Sequence, residues 1–165
     1  MEKIFIHDLS EGIHEFDLEV KAEEIELHNK EFYPDPLSLK IIVDKIHDVF
    51  RLKIDIHTRA RYICDRCLDE YDTEFDEKIE QIYQLGHSEL DEDEEIVILP
   101  EGTREIDISK AIQDTFLMSR PLQLLCREDC MGLCAQCGAN WNHQSCSCTT
   151  RQIDPRLEKL KMLIK

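Results

Sequence analysis

All eight cysteines of this 165-residue chain fall in two places. Cys64-Asp65-Arg66-Cys67 is the first. The second starts 59 positions after Cys67 and runs Cys126-x3-Cys130-x3-Cys134-x2-Cys137, then Cys146-Ser147-Cys148. A tetrahedral zinc site needs four ligands with each sulfur about 2.3 Å from the ion, and a Cys-x2-Cys turn supplies two of them at once. Any fold of this chain must therefore bring remote turns together. Eight thiols suffice for two complete sites, so two zinc ions are expected, each held by four cysteines.

The compartment decides between metal and disulfides. Met1-Glu-Lys-Ile-Phe-Ile-His-Asp8 has no apolar run long enough for a signal peptide. No stretch approaches the roughly eighteen apolar residues of a membrane span. The expectation is a cytoplasmic protein with no membrane partner, where clustered cysteines are metal ligands more often than disulfides.

The ligand pairing is a choice. Consecutive pairing joins Cys64/Cys67 to Cys126/Cys130, and Cys134/Cys137 to Cys146/Cys148. Interleaved ligands are the alternative. Consecutive pairing is favoured because the second site then closes within a short loop and loses little entropy. Gly138 directly follows Cys137 and suits a turn that requires positive φ, and Gly132 precedes Cys134 for the same reason. His143 could replace one cysteine, but the eight thiols already fill two sites. A redox role for Cys64/Cys67 lacks the helix N-terminus that lowers a thiol pKa.

Hydrophobic periodicity supplies the fold. Phe16-Asp17-Leu18-Glu19-Val20 alternates as a half-buried strand does, and Ile25-Glu26-Leu27 repeats this briefly. Alternation returns in Leu39, Ile41 and Val43. A long strand then places Phe50, Leu52, Ile54, Ile56, Thr58, Ala60 and Tyr62 on one face. Arg51, Lys53, Asp55, His57, Arg59 and Arg61 take the other. Residues 71–83 alternate again, with Ile82 out of phase. Two alternating runs flanking Cys64/Cys67 predict a hairpin with a metal knuckle at its tip. Ile96–Leu99 reads as a short strand, and Lys110 to Ser119 as a helix capped by Asp107 or Ser109. Its apolar face would be Ile108, Ala111, Ile112, Thr115, Phe116 and Met118, and Pro121 ends it. Residues 86–95 read as an acidic loop, and Asp154-Pro155 opens a basic C-terminal helix. The fold class is α+β: a mostly antiparallel β-sheet packed by one or two helices, with a C-terminal cysteine-rich zinc-binding segment. The expected organisation is a sheet-rich core over 1–125, a cysteine-rich segment over 126–150 and a basic helix over 151–165.

Charge bears on partners. The formal net charge is −16, and two four-thiolate zinc sites would take it to about −20. So acidic a chain repels phosphate backbones at long range and suits a basic protein partner. A local basic surface is the competing idea, drawing on Arg59, Arg61 and Arg66 with Arg156, Lys159 and Lys161. An enzyme is not expected: there is no phosphate-binding glycine loop, no Ser-His-Asp set and no carboxylate cluster at metal spacing. The seven histidines are scattered.

Cys64-Asp-Arg-Cys67-Leu68, with Pro121-Leu-x3-Cys126-x3-Cys130-x-Gly132-Leu133-Cys134-x2-Cys137-Gly138-x-Asn140 and Cys146-x-Cys148, resembles the YceD family. These are the large ribosomal RNA subunit accumulation proteins of bacteria and plastids. The resemblance covers most of the chain in element order, with its specific motif in 64–68 and 121–148. It implies a non-enzymatic ribosome-biogenesis factor that supports accumulation of large-subunit (23S) ribosomal RNA. Together with the charge, it implies binding to a basic large-subunit ribosomal protein or a pre-50S particle, and no small-molecule substrate. The alternative is a zinc-dependent RNA-binding module that contacts rRNA directly. Relatives with reduced later cysteines imply that Cys64, Cys67, Cys126 and Cys130 form the older site. Met131 and Ala135 stand where many relatives carry Lys and Pro; neither is a ligand.

Overall fold

The computed structural model describes residues 3–86 and 96–148. The acidic run from residue 87 to 95 and the C-terminal helix expected from Asp154 lie outside the described residues.

A five-stranded sheet forms the body. Its strands are β2 (Gly12–Val20), β3 (Leu37–Ile46), β4 (Val49–Ile63), β5 (Glu70–Leu85) and β6 (Ile96–Leu99), in that spatial order. Neighbours run antiparallel from β2 to β5, whereas β6 lies parallel to β5. β1 (Lys3–Phe5) and β7 (Glu105–Asp107) make a separate two-stranded ribbon. The single α-helix among the described residues is α1 (Ser109–Met118). The mostly antiparallel α+β expectation stands, with one parallel pair that the periodicity does not reveal.

The period-2 pattern of β4 explains the layering. Every second residue from Phe50 to Tyr62 is buried, and Arg51 through Arg61 are exposed on the opposite face. Cys64 continues the buried row at 0% exposure, so the pleat itself aims this sulfur inward. Leu37, Leu39, Ile41 and Val43 of β3 and Phe75, Ile79 and Tyr83 of β5 extend the apolar face. Ile112 and Phe116 of α1 cover it. Phe116 stacks on Phe75 with ring centroids 4.3 Å apart, and Tyr33 meets Phe116 edge-on at 4.7 Å.

Three local expectations change. Ile25-Glu26-Leu27 is a run of tight turns, not a strand. Leu27 N–H donates to Ala22 O at 3.0 Å and Glu26 adopts φ 56°, so local bonds replace a ladder. Ile25 and Leu27 are still buried, because the turns fold both into the main core, where Gln113 Nε2 of α1 donates to Ile25 O at 2.6 Å. Met118 leaves the apolar face of α1 and is 82% exposed; at the last turn the helix has run past the sheet. The helix start is shared: Ile108 holds the N-cap position, and Asp107 Oδ1 accepts the Ser109 N–H at 2.9 Å. Ile82 falls out of phase where β6 joins, paired with Arg51 on one side and Ile96 on the other.

Candidate metal centres

The eight thiols gather into two groups of four, Cys64/Cys67/Cys126/Cys130 and Cys134/Cys137/Cys146/Cys148. Within each group all sulfurs lie within 4.8 Å of one another. This is the consecutive arrangement; the interleaved one does not occur.

Each Cys-x2-Cys turn is the same backbone device. In the first, Cys64 N–H donates to Asp69 O and Leu68 N–H to Cys64 O, both at 2.9 Å. In the second, Cys134 N–H donates to Ala139 O at 2.8 Å and Gly138 N–H to Cys134 O at 2.9 Å. The residue after the second cysteine is left-handed in both: Leu68 at φ 60° and Gly138 at φ 74°. Glycine takes that conformation freely, and leucine does so at a cost of about 1–2 kcal/mol.

The first centre fits a tetrahedral ion. Cys64 Sγ stands 3.8 Å from Cys130 Sγ, and Cys67 Sγ 3.7 Å from Cys126 Sγ. Metal–sulfur bonds of about 2.3 Å at tetrahedral angles put sulfurs about 3.8 Å apart. A disulfide would need about 2.05 Å. Four thiolates are a soft donor set, suited to zinc or iron.

Protonation is uneven among these sulfurs. Burial pushes the Cys64 thiol up, but backbone N–H groups of Cys126, Cys67 and Arg66 outweigh it and bring it down to about 6. Burial and the neighbouring sulfurs push Cys67 up to about 12. In the second centre the Cys137 and Gln136 N–H groups bring Cys134 down to about 6. Cys148 is pushed up to about 12, first by its hydrogen bond with Cys137 and then by burial. Against its burial, Asn142 and the Gly132 N–H also bring Cys130 down, so each centre offers at least one sulfur whose thiolate is favoured, and a cation entering there displaces protons from the others.

The centres differ in cover. Cys64, Cys67 and Cys130 are buried, whereas Cys137 and Cys148 are exposed. Arg66 Nη1 donates to Cys130 O at 3.2 Å inside the first, and Trp141 N–H to Gly132 O at 2.9 Å inside the loop of the second. The two are fastened together through Asp69. Asp69 Oδ2 accepts Asn140 Nδ2 at 2.8 Å and lies 2.8 Å from His143 Nε2. Those two partners hold the Asp69 carboxyl below its ordinary range, His143 contributing most. His143 is therefore tied to the first turn and stands outside both thiol groups. Outer donors complete the set: Asn142 Nδ2 reaches Cys130 Sγ at 3.3 Å, and Trp141 Nε1 reaches Cys146 Sγ at 3.4 Å. Asp69, Asn140 and Asn142 were not singled out from sequence as supports. Their signal was the amide-rich Asn140-Trp141-Asn142-His143 directly behind the second turn.

The cations proposed for a partner surface have a different setting. Arg59 Nη2 is 2.7 Å from Asp35 and its Nη1 3.5 Å from Asp72, and Arg61 Nε is 2.7 Å from Asp72. Arg66 is spent on the Cys130 and Glu128 carbonyls. Most of the basic row of β4 faces carboxylates of β5: Lys53 pairs with Glu80 at 3.0 Å and His57 with Asp76 at 2.6 Å, while Arg51 faces Ile82 and the order reverses at Asp55, which meets Lys78 at 3.4 Å. Arg156, Lys159 and Lys161 lie outside the described residues.

Comparison with known proteins settles the family. The model for the large ribosomal RNA subunit accumulation protein YceD matches residues 52–164, which include both thiol groups. The chain belongs to the YceD family. Among YceD relatives, a chloroplastic large ribosomal RNA subunit accumulation protein of Arabidopsis thaliana is 28% identical over 151 residues. That alignment covers 74% of this chain and 47% of the relative. Its Zea mays counterpart is 38% identical over 81 residues, 48% of this chain and 27% of the relative. This chain thus spans under half the length of the plant proteins it matches. The uncharacterized YlbN of Bacillus subtilis strain 168 is 25% identical over 162 residues, 97% of this chain and 93% of that one. No solved structure gives a significant match. The family is named for an accumulation factor, not for an enzyme. No helix among the described residues is long and apolar enough to cross a membrane.

Proposed function

We propose that this protein is a non-enzymatic factor for large-subunit ribosomal RNA accumulation that works by binding a basic large-subunit ribosomal protein or a precursor particle. Membership of the YceD family supports the rRNA role. The observation that carries the choice of a protein partner is the neutralised sheet face. Arg59 and Arg61 are held by Asp35 and Asp72, so the cationic row of β4 offers phosphates no uncompensated stripe. A chain of net charge −16 attracts basic proteins and repels RNA at long range.

The two thiol groups serve this role as structural zinc sites. Zinc held by Cys64, Cys67, Cys126 and Cys130 ties the β4–β5 hairpin to the segment after α1. A second zinc on Cys134, Cys137, Cys146 and Cys148 shapes the loop that rests on the first turn. Four-cysteine sites leave no open position for catalysis.

Affinity capture on the full-length, metal-loaded chain tests the reading. Recovery of a basic ribosomal protein or a large-subunit precursor supports it. Recovery of bare rRNA alone, with affinity falling steeply in log–log dependence on salt, replaces it with direct RNA binding through other basic residues.

A further inference from the structure

The outer edge of β2 is open among the described residues. Its ladder runs to β3, and no loop or turn backbone hydrogen bond involves residues 12–20. Proteins blunt such edges with Lys, Pro, bulges or very short strands. β6, at the other side of the sheet, is four residues long. β2 is nine residues long and contains neither Lys nor Pro.

The sequence of β2 instead carries a pattern. Glu15, Asp17 and Glu19 are exposed on the solvent face of the sheet. Phe16 and Leu18 lie on the core face, paired with Ile41 and Leu39, and are only partly covered. Glu15 approaches Lys40 no closer than 3.8 Å. Asp17 and Glu19 form no ion pair among the described residues. Two copies joined edge to edge would bring like charges together, which is unfavourable between paired strands. The same three carboxylates favour a strand carrying Lys or Arg at alternate positions. Its other face would complete the cover over Phe16 and Leu18, and its main chain would take up the free N–H and C=O groups.

We propose that the outer edge of β2 is a strand-addition site for an extended basic segment of a partner protein, with Lys or Arg alternating with apolar residues. This deepens the functional reading and rests on it for the class of partner.

Hydrogen–deuterium exchange on the full-length, metal-loaded chain tests it. The probe is a synthetic ten-residue peptide of alternating Lys and Val. In the free chain, alternate amides of residues 12–20 should exchange fast, and the peptide should slow them at least tenfold. Peptides N-methylated on alternate residues, in both phases, report main-chain pairing: one phase should lose about tenfold in affinity. The variant Glu15→Lys/Asp17→Lys/Glu19→Lys should bind the parent peptide about tenfold more weakly while keeping its thermal midpoint. Protection already present in the free chain would mean that another segment or a second copy occupies the edge, and overturns the site. So would full binding by both methylated peptides, or by the triple variant. Capture of a ribosomal protein undiminished in the triple variant sinks the β2 site and leaves the functional reading standing. Peptide binding without any such capture does the reverse.

Discussion

The contact between the two metal centres passes through Gly132, and replacing this glycine separates geometry from packing. Gly132 sits at φ 73° and Gly138 at φ 74°, so alanine meets the same backbone penalty at either, about 1–2 kcal/mol. The surroundings differ. A Cβ at 132 would lie 3.1 Å from the Arg66 carbonyl oxygen and 3.5 Å from Arg66 Cβ, whereas one at 138 meets nothing within 4 Å. The Arg66 oxygen belongs to the backbone of the first turn and cannot swing aside. Relief requires the second loop to move out, which stretches the hydrogen bonds of Asn140 and His143 with Asp69. Losing the equivalent of one such bond adds about 1 kcal/mol. Gly132→Ala should therefore cost about 2–3 kcal/mol and Gly138→Ala about 1–2 kcal/mol. Urea unfolding of both metal-loaded variants measures the difference from the midpoints at constant slope. Equal losses, or a larger loss at 138, would refute the claim that the loop is braced against the first turn.

Three further outcomes follow from the same structure. Phe116→Ala, which empties a buried site stacked on Phe75, should lower stability by about 3–5 kcal/mol by denaturant titration; a loss under 1 kcal/mol would mean α1 is not seated as described. A chelator should strip the exposed second centre before the buried first one, giving two phases of metal release, and a single phase would contradict the difference in cover. The Asp76 hydrogen bond raises His57 above its ordinary pKa of 6.5. Its stabilising contribution is then complete below 6.5 and fades as pH rises through the raised value. An NMR titration of His57 with a midpoint at or below 6.5 would dismiss the pairing.

The sequence was most readable where one physical rule acts alone. The strict alternation of Phe50 to Tyr62 gave the buried face of β4, because half-burial forces a period of two. The grouping of the eight cysteines followed from short spacings and cheap loop closure. Legibility failed where tertiary contacts override local pattern. Ile25 and Leu27 alternate like a strand, but they are buried from within turns. Ile82 is out of phase because β6 pairs there in parallel, a long-range contact with no local mark. The basic row of β4 looked like a binding stripe because its acidic partners, Asp72 through Glu80, lie on the next strand. The braces Asp69, Asn140 and Asn142 are ordinary polar residues until folding brings the second turn onto the first.

The first centre draws its halves from opposite sides of α1, and this sets a clock during synthesis. The hairpin that carries Cys64 and Cys67 is translated whole before Cys126, which trails Cys67 by 59 positions. At about 5–20 residues per second, that interval is roughly 3–12 s. Throughout it the nascent chain presents two thiols with no second pair to meet them, at first while β5 is still being made and then at the end of a finished hairpin. The second centre has no such interval, since its ligands emerge within one short stretch. A newly made chain thus gathers the ligands of its buried centre over a long interval and those of its exposed centre over a short one.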